Sequence, residues 1–390
     1  MKVLQTIPYM RISQGGPSTC TCDLLDGIAE LRYRDTEHSF EDVCLLTTKS
    51  DDTANPNLGE GQNWLKTVKC DYITPLALSR EFNNFLKKNE YEIYHANTLW
   101  LYPIHATCAY ARKVRKPYII SPHGMLYPTA LTVSVWKKKL MRRIWFDNDI
   151  HKANCLHTTC IKEMDHCRTF GYKGPIAVIP NPVVIPSEIT VKKHIPAERK
   201  IGFLGRLHPI KKVEALIYGM AEAIKQGVPT FQLDIMGSGD KNYENFLREE
   251  VDRLGLAGSV NFVGFVNGKE KYERLRSLWA LFVPSVQENF GMIVPEALIC
   301  GTPVYASTGT PWEELNSDGC GWWCDNSVAS IASVICELFS KSESELLQMG
   351  KNGRALIEQC YEQTKVAKMM IDLYRYILGI IEKPSFVYEL

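Results

Sequence analysis

Short apolar runs alternate with longer amphipathic stretches along the chain. In the first half the runs are KVLQTI (2–7), VCLLTT (43–48), EIYHAN (92–97), PYIIS (117–121) and PIAVIP (175–180). In the second half they are IGFLG (201–205), FQLDIM (231–236), VNFVG (260–264), LFVPS (281–285) and PVYAS (303–307). Runs of this length, bounded by Gly, Pro and polar residues, read as buried strands, and the stretches between them read as helices. That alternation predicts βα units and parallel sheets, hence an α/β protein. A chain of 390 residues is long enough for two domains at roughly 100 to 200 residues each. The segment VVIPSEITVKKHIPAERK (183–200) has two prolines, mixed charge and no clean period. It is expected to connect the domains. The predicted division is 1–183, a linker 184–199, a second domain 200–361, and a C-terminal helix and tail 362–390 that could pack back on the first domain.

Composition is ordinary for a globular chain, with 45% hydrophobic and 23% charged residues. The formal net charge of +1 gives no global sign of a nucleic-acid partner. No stretch approaches the ~18 consecutive apolar residues of a spanning helix, and MKVLQTIPYM lacks the apolar core of a signal peptide. A cytoplasmic location is expected. The 13 cysteines include no C-x-x-C pair, so they are expected to be free thiols in a reducing compartment.

Four short elements carry candidate chemistry, each at the C-terminal end of a predicted strand. In ENFGMIVPE (288–296), Pro295 suits the first turn of a helix. Glu288 then lies on the strand-to-helix loop and Glu296 in that first turn. Gly291 lets backbone approach a ligand, and helix-start N–H groups favour an anion. In GFLGRLHPIKK (202–212), Arg206 and Lys211 follow a strand at the place where open α/β sheets bind ligands, and two cations suit a diphosphate. In QGGPS (14–18), Gly15 and Gly16 follow the first strand. SPHG (121–124) puts His123 at the end of another. Each element alone also reads blandly, as solvated charges, a turn or a structural histidine. Together they describe an anion cradle with hydroxyl-binding carboxylates and no metal-ligand pattern. TGTPWEEL (308–315) reads as a capping box, with Thr310 as cap, Pro311 in the first turn and Glu313 as its partner. The two tryptophans of GCGWWCD (319–325) read as packing near a domain edge.

The motif P-S-x-x-E-x-F-G-x-x-x-x-E-A, running from Pro284 to Ala297, with GRL-x3-K before it and GGPS and SPHG in the first half, resembles glycosyltransferase family 4. The resemblance spans essentially the whole chain. It implies two Rossmann-like domains facing each other across a cleft, the GT-B fold. It implies that Arg206 and Lys211 bind the donor diphosphate and that Glu296 binds ribose hydroxyls. Glu288 and the backbone near Phe290, Gly291 and Met292 would hold the sugar, His123 would contact it, and Gly264 and Phe265 would sit near the base. The family's usual glycine after the lysine is Lys212 here. The implied activity is retaining transfer of a hexose or N-acetylhexosamine from a UDP- or GDP-sugar to a glycan or lipid-linked acceptor. Bacterial O-antigen, capsule or exopolysaccharide assembly is the setting suggested by analogy. No cofactor is expected, and metal independence follows from the missing DxD pair.

Other classes fit less well. A Rossmann oxidoreductase needs G-x-G-x-x-G with an acid about twenty residues on, and neither QGGPS nor MGSGD (236–240) supplies it. A nucleotide-sugar epimerase of the same fold is a closer rival. A non-catalytic sugar-binding module would have no need for Arg206, Lys211 and both glutamates.

Charge is uneven along the chain. Residues 101–150 hold nine Lys or Arg against two acids. In VWKKKLMRRIW (135–145), Trp136, Leu140 and Ile144 share a helical face, flanked by Lys137, Lys138, Lys139, Arg142 and Arg143. An ordinary surface helix would turn that apolar stripe into the core. A membrane-surface helix would leave it outside, to meet an anionic bilayer at the inner face of the cell membrane.

Overall fold

The computed structural model describes residues 1–11, 15–34, 42–49, 57–71 and 76–390. They form two α/β units, Met1–Val184 with Gln363–Leu390, and Ile185–Glu362. The strands of the described residues, in chain order, are β1 (Lys2–Thr6), β2 (Asp42–Thr48), β3 (Leu65–Val68), β4 (Ile93–Asn97), β5 (Tyr118–Ser121), β6 (Cys155–Thr158), β7 (Ile176–Val178), β8 (Lys200–Leu204), β9 (Gln232–Met236), β10 (Val260–Gly264), β11 (Ala280–Val283), β12 (Val304–Ser307), β13 (Gly321–Cys324) and β14 (Val387–Tyr388).

The first unit has an eight-stranded sheet in the order β14-β7-β6-β5-β4-β1-β2-β3. It is parallel except for β14, which pairs antiparallel with β7 through Val387 and Ala177. Alternate side chains serve opposite faces. Val3, Val43, Ile93 and Ile119 join one buried cluster, and their neighbours Leu4, Cys44, Tyr94 and Ile120 join another. Both faces are covered, so these strands read as continuous apolar runs. The helix Gln363–Ile377 lies with helix Gly16–Arg34 on the Val3 side, burying Val366, Met370 and Leu373. A Cβ at Gly27 would meet Gln363 Cγ at 2.9 Å and Ala367 Cβ at 3.1 Å, so this glycine lets the two helices approach closely. The C-terminal helix therefore packs on the first unit, far from it in sequence.

The second unit has a six-stranded parallel sheet, β10-β9-β8-β11-β12-β13. Both units share the Rossmann strand order, in which the winding reverses between the first strand and the fourth. In the second unit that point lies between β8 and β11. Helix Val213–Lys225 and helix Val328–Ser340 bury Leu216, Met220, Ile331 and Ile335 against Ile201, Phe203, Leu233 and Phe282.

All ten apolar runs are strands. The pattern missed β3, β6, β13 and β14. Three of these lie at sheet edges, where half-exposure breaks the apolar run, and β6 carries a buried histidine, His157. The segment 184–199, expected to link the domains, is grouped with the second unit from Ile185 onward. Ile189 and Lys192 are buried there. Trp279 Nε1 donates to the Pro196 carbonyl at 2.8 Å, and Arg354 donates to that of Ile189 at 2.9 Å. Side-chain-to-backbone bonds of this kind have no sequence period. The expected capping box at 310–313 does not form. The helix is Glu314–Ser317, its cap residue Glu313 makes no side-chain cap bond, and the Thr310 hydroxyl donates to the Ser307 carbonyl at 2.8 Å.

Candidate functional site

At the switch point of the second unit, three loops are knitted together at the C-terminal ends of β8, β11 and β12. Val286 N–H donates to the Ile210 carbonyl at 2.8 Å, and Glu288 N–H to that of Gly309 at 3.1 Å. A Cβ at Gly309 would lie 2.1 Å from the Val286 carbonyl oxygen, so only glycine permits this approach. Lys211 ends a short turn, Pro209–Lys211, and its ammonium is ion-paired with Glu288. Ser285 Oγ donates to the same Glu288 oxygen at 2.8 Å. Sequence reading assigned Lys211 and Glu288 to different parts of a ligand, and the structure brings them into direct contact. Lys212 takes the left-handed conformation, φ 54° and ψ 38°, a region that glycine adopts most readily.

Glu296 lies in the first turn of helix Ile293–Ile299. Its Oε1 accepts from Lys271 Nζ at 2.8 Å, a partner that sequence reading missed. Lys271 stands in helix Gly268–Ser277 after β10, and nothing in its local pattern pairs it with a residue twenty-five positions on. Burial raises the Glu296 carboxyl above its ordinary value, and Lys271 opposes that rise.

The loop before that helix is fixed from below. Trp312 Nε1 donates to the Phe290 carbonyl at 2.5 Å, and the two rings pack at 5.0 Å. In a trans peptide the carbonyl and the next N–H point in opposite directions. With the Phe290 carbonyl turned to the buried Trp312, the Gly291 N–H points away from it. Among the described residues, none accepts from the N–H of Phe290, Gly291 or Met292. Gly291 has φ 81°, a left-handed conformation that favours glycine. Arg206 is exposed just past β8. Gly264 ends β10 at φ 86°, followed by Phe265, which is 71% exposed. The second unit thus gathers cations, carboxylates, unengaged N–H groups and an exposed aromatic ring along one sheet edge.

In the first unit, Gly15, at φ 76°, and Gly16 start helix Gly16–Arg34; Gln14 lies outside the described residues. His123 follows β5 in a left-handed conformation, φ 49°. Its Nε2 lies 3.3 Å from Asn97 Oδ1. Next to this partly buried ring are two buried histidines, His95 and His157, joined through Ser121 Oγ at 2.6 Å each. Burial pushes His123 down to about 3 and His157 to about 4, and holds His95 well below the usual imidazole range. All three are neutral at pH 7.

The basic segment resolves the choice left open by its pattern. Trp136, Leu140 and Ile144 are 85%, 60% and 58% exposed, so the stripe faces outward rather than into the core. The inward anchors are Phe146, which is buried, and Trp145, which stacks on His105 at 4.8 Å. A wide π turn at Arg142–Phe146 rotates these anchors relative to the preceding turn. Lys139 Nζ lies over the Trp136 ring at 5.7 Å.

No helix of the described residues is long and apolar enough to cross a membrane. Among the same residues, no group of three or more His, Cys, Asp or Glu is placed to hold a metal ion. Among the described residues no cysteine is paired in a disulfide.

With this geometry in view, comparison with known proteins gives matches over both halves. Residues 15–185 match the family described as Glycosyltransferase Family 4, and residues 186–356 match that described as Glycosyl transferases group 1. An uncharacterized glycosyltransferase of Methanocaldococcus jannaschii is 35% identical over 127 residues, 32% of this chain and 32% of that protein. A D-inositol 3-phosphate glycosyltransferase of Segniliparus rotundus is 32% identical over 114 residues, 29% of this chain and 25% of that protein. The matched segments thus span about a third or less of these relatives. The Anabaena protein HepE, solved with UDP and glucose, superposes with a TM-score of 0.73 at 19% identity, covering 96% of this chain and all of that one. That likeness shows the shared GT-B fold.

Proposed function

The chain belongs to glycosyltransferase family 4, and from that premise we propose that it transfers a hexose or N-acetylhexosamine, with retention, from a nucleotide-diphospho-sugar to a glycan or lipid-linked acceptor. The observation that carries this reading is the switch-point edge of the second unit. Lys211, Glu288, Glu296 and the outward Gly291 N–H stand there on loops locked together by backbone hydrogen bonds. Such a place is suited to a diphosphate and its flanking hydroxyls.

In the proposed scheme Glu296 accepts the ribose hydroxyls, and Gly264 and Phe265 meet the base. Glu288 and the Phe290–Met292 backbone hold the sugar, and His123 is proposed as a further sugar contact. Arg206 and Lys211 stabilise the diphosphate as the bond from the anomeric carbon to its oxygen breaks. Fixed charges act most strongly where charge develops. The acceptor oxygen bonds to the anomeric carbon on the face that the diphosphate leaves, and its proton passes to the departing phosphate oxygen. The Lys211–Glu288 pair keeps that ammonium partnered until phosphate replaces the carboxylate. The reaction is proposed to run without a metal ion. UDP is the favoured nucleotide, since HepE, of the same fold, was solved with UDP and glucose. A GDP-sugar is the alternative.

The exposed stripe of Trp136, Leu140 and Ile144 amid Lys137, Lys138, Lys139, Arg142 and Arg143 supports peripheral contact with an anionic membrane, where a lipid-linked acceptor of cell-surface glycan assembly would be met. A thermal-shift panel of UDP, GDP and their sugars tests the donor assignment, because a ligand of the folded state raises Tm by linkage. Product analysis then decides the reaction. Free nucleotide together with sugar on an acceptor is expected; an epimerised sugar without transfer would overturn the reading.

A further inference from the structure

A chain of hydrogen bonds runs through the first unit beneath His123, and each bond has only one possible direction. It starts at the Ile179 carbonyl, which can only accept. His157 Nε2 lies 2.9 Å from that oxygen, so it carries the ring proton. In the neutral ring Nδ1 is then an acceptor, and Ser121 Oγ, 2.6 Å away, donates to it. Having given its proton, Ser121 accepts from His95 Nε2 at 2.6 Å. His95 Nδ1 must therefore accept, and the Tyr374 hydroxyl donates to it at 2.8 Å. Tyr374 in turn accepts from Gln5 Nε2 at 2.8 Å. That orientation turns Gln5 Oε1 toward Asn97 Nδ2, 3.1 Å away. Asn97 Oδ1 is left to face His123 Nε2.

A second carbonyl gives the same answer independently. Asn97 Nδ2 also lies 3.4 Å from the Thr6 carbonyl oxygen, which again can only accept. Both ends orient the Asn97 amide the same way. The hydrogen-bond network thus fixes the Asn97 amide from two sides.

We propose that this chain fixes the tautomer of His123, with the proton on Nε2 and a bare Nδ1, and that Asn97 is the positioning residue that imposes it. His123 then offers its ligand an acceptor and no donor. A hydroxyl of the donor sugar can donate to it, whereas a carbonyl or phosphate oxygen cannot use it. This rests on the reading of His123 as a sugar contact, and it adds the chemical sense of that contact. Burial, which keeps all three rings neutral at pH 7, prevents a cationic His123 from escaping the constraint. The C-terminal helix takes part through Tyr374, so a residue at the far end of the sequence helps set the polarity of the site.

The test uses the full chain with 15N-labelled histidine and long-range 1H–15N correlation at pH 7, with His123 assigned by loss of its signals in His123→Gln. A single Nε2–H tautomer with a pyridine-like Nδ1 is expected in the wild type; an Nδ1–H ring or an even mixture would overturn the proposal. In Asn97→Ala the His123 ring should become a mixture while the signals of His157 stay as they were. An unchanged His123 would remove Asn97 from the positioning role. Affinities for UDP and for the UDP-sugar, measured on the same proteins, separate the two layers of the argument. Loss of the sugar-dependent part of the affinity in both Asn97→Ala and His123→Gln supports the whole. A fixed tautomer with no loss in either variant would leave the tautomer standing and refute the sugar contact.

Discussion

Replacing Glu296 by alanine tests the donor site most directly. One carboxylate oxygen is taken by Lys271 at 2.8 Å, and the other accepts from no described residue, which leaves it for a ligand. If it accepts a ribose hydroxyl, its loss removes a hydrogen bond to a charged group, about 1.5–3 kcal/mol. That corresponds to roughly 10- to 150-fold weaker nucleotide binding. The cost in stability should be small. The Lys271 side chain is 21% exposed and the Glu296 side chain 18%, so the freed ammonium can turn to water and is not left as a buried, unpaired charge. Titration calorimetry with UDP and GDP, beside a thermal melt, separates the two effects. Unchanged affinity for both nucleotides would refute the assignment, and so would a loss of affinity matched by unfolding. A companion variant, Lys271→Met, checks the electrostatics. Burial raises the Glu296 carboxyl and Lys271 holds it down, so without Lys271 it climbs further. Nucleotide affinity should then fall more steeply in the variant than in the wild type as pH is lowered.

Arg206→Ala and Lys211→Ala are each expected to cut turnover far more than they lower Tm; a large drop in Tm with normal specific activity would make these residues structural. Turnover is expected to survive EDTA, and complete loss restored by magnesium or manganese would contradict metal independence. Acid should destabilise the first unit: His157 titrates near 6.5 when unfolded and at about 4 when folded, so the unfolded chain binds the proton first and stability falls as pH drops through that window. His157 alone removes about 2 kcal/mol between pH 7 and pH 5, His123 and His95 add to the loss in the same direction, and a flat profile in chemical denaturation at the two pH values would refute the expectation. Salt-sensitive binding to anionic vesicles is expected through the exposed basic segment. Changing Lys137, Lys138 and Lys139 together to Glu should abolish it; equal sedimentation of that variant, or no binding by the wild type at low salt, would rule the surface out.

The sequence by itself determined the fold class and the strand ends at which the candidate residues stand. A parallel strand covered on both faces is mostly apolar, so short apolar runs announced most of the strands without any structure. Gly, Pro and acidic residues just past those runs placed Glu288, Glu296, Arg206, Lys211 and His123 at strand ends. Local chemistry limits backbone choice there, and Gly291 and Lys212, both left-handed, mark such positions. The tertiary structure decided what touches what. Lys271 meets Glu296, Trp312 meets the Phe290 carbonyl, and Tyr374 meets His95. Each pair joins elements that come together only when a sheet is assembled, and hydrophobic periodicity is silent about such pairings. Exposure was decided there too. A helical stripe such as Trp136, Leu140 and Ile144 reads the same whether it faces a core or water. Only the anchoring of its neighbours Trp145 and Phe146 turned it outward.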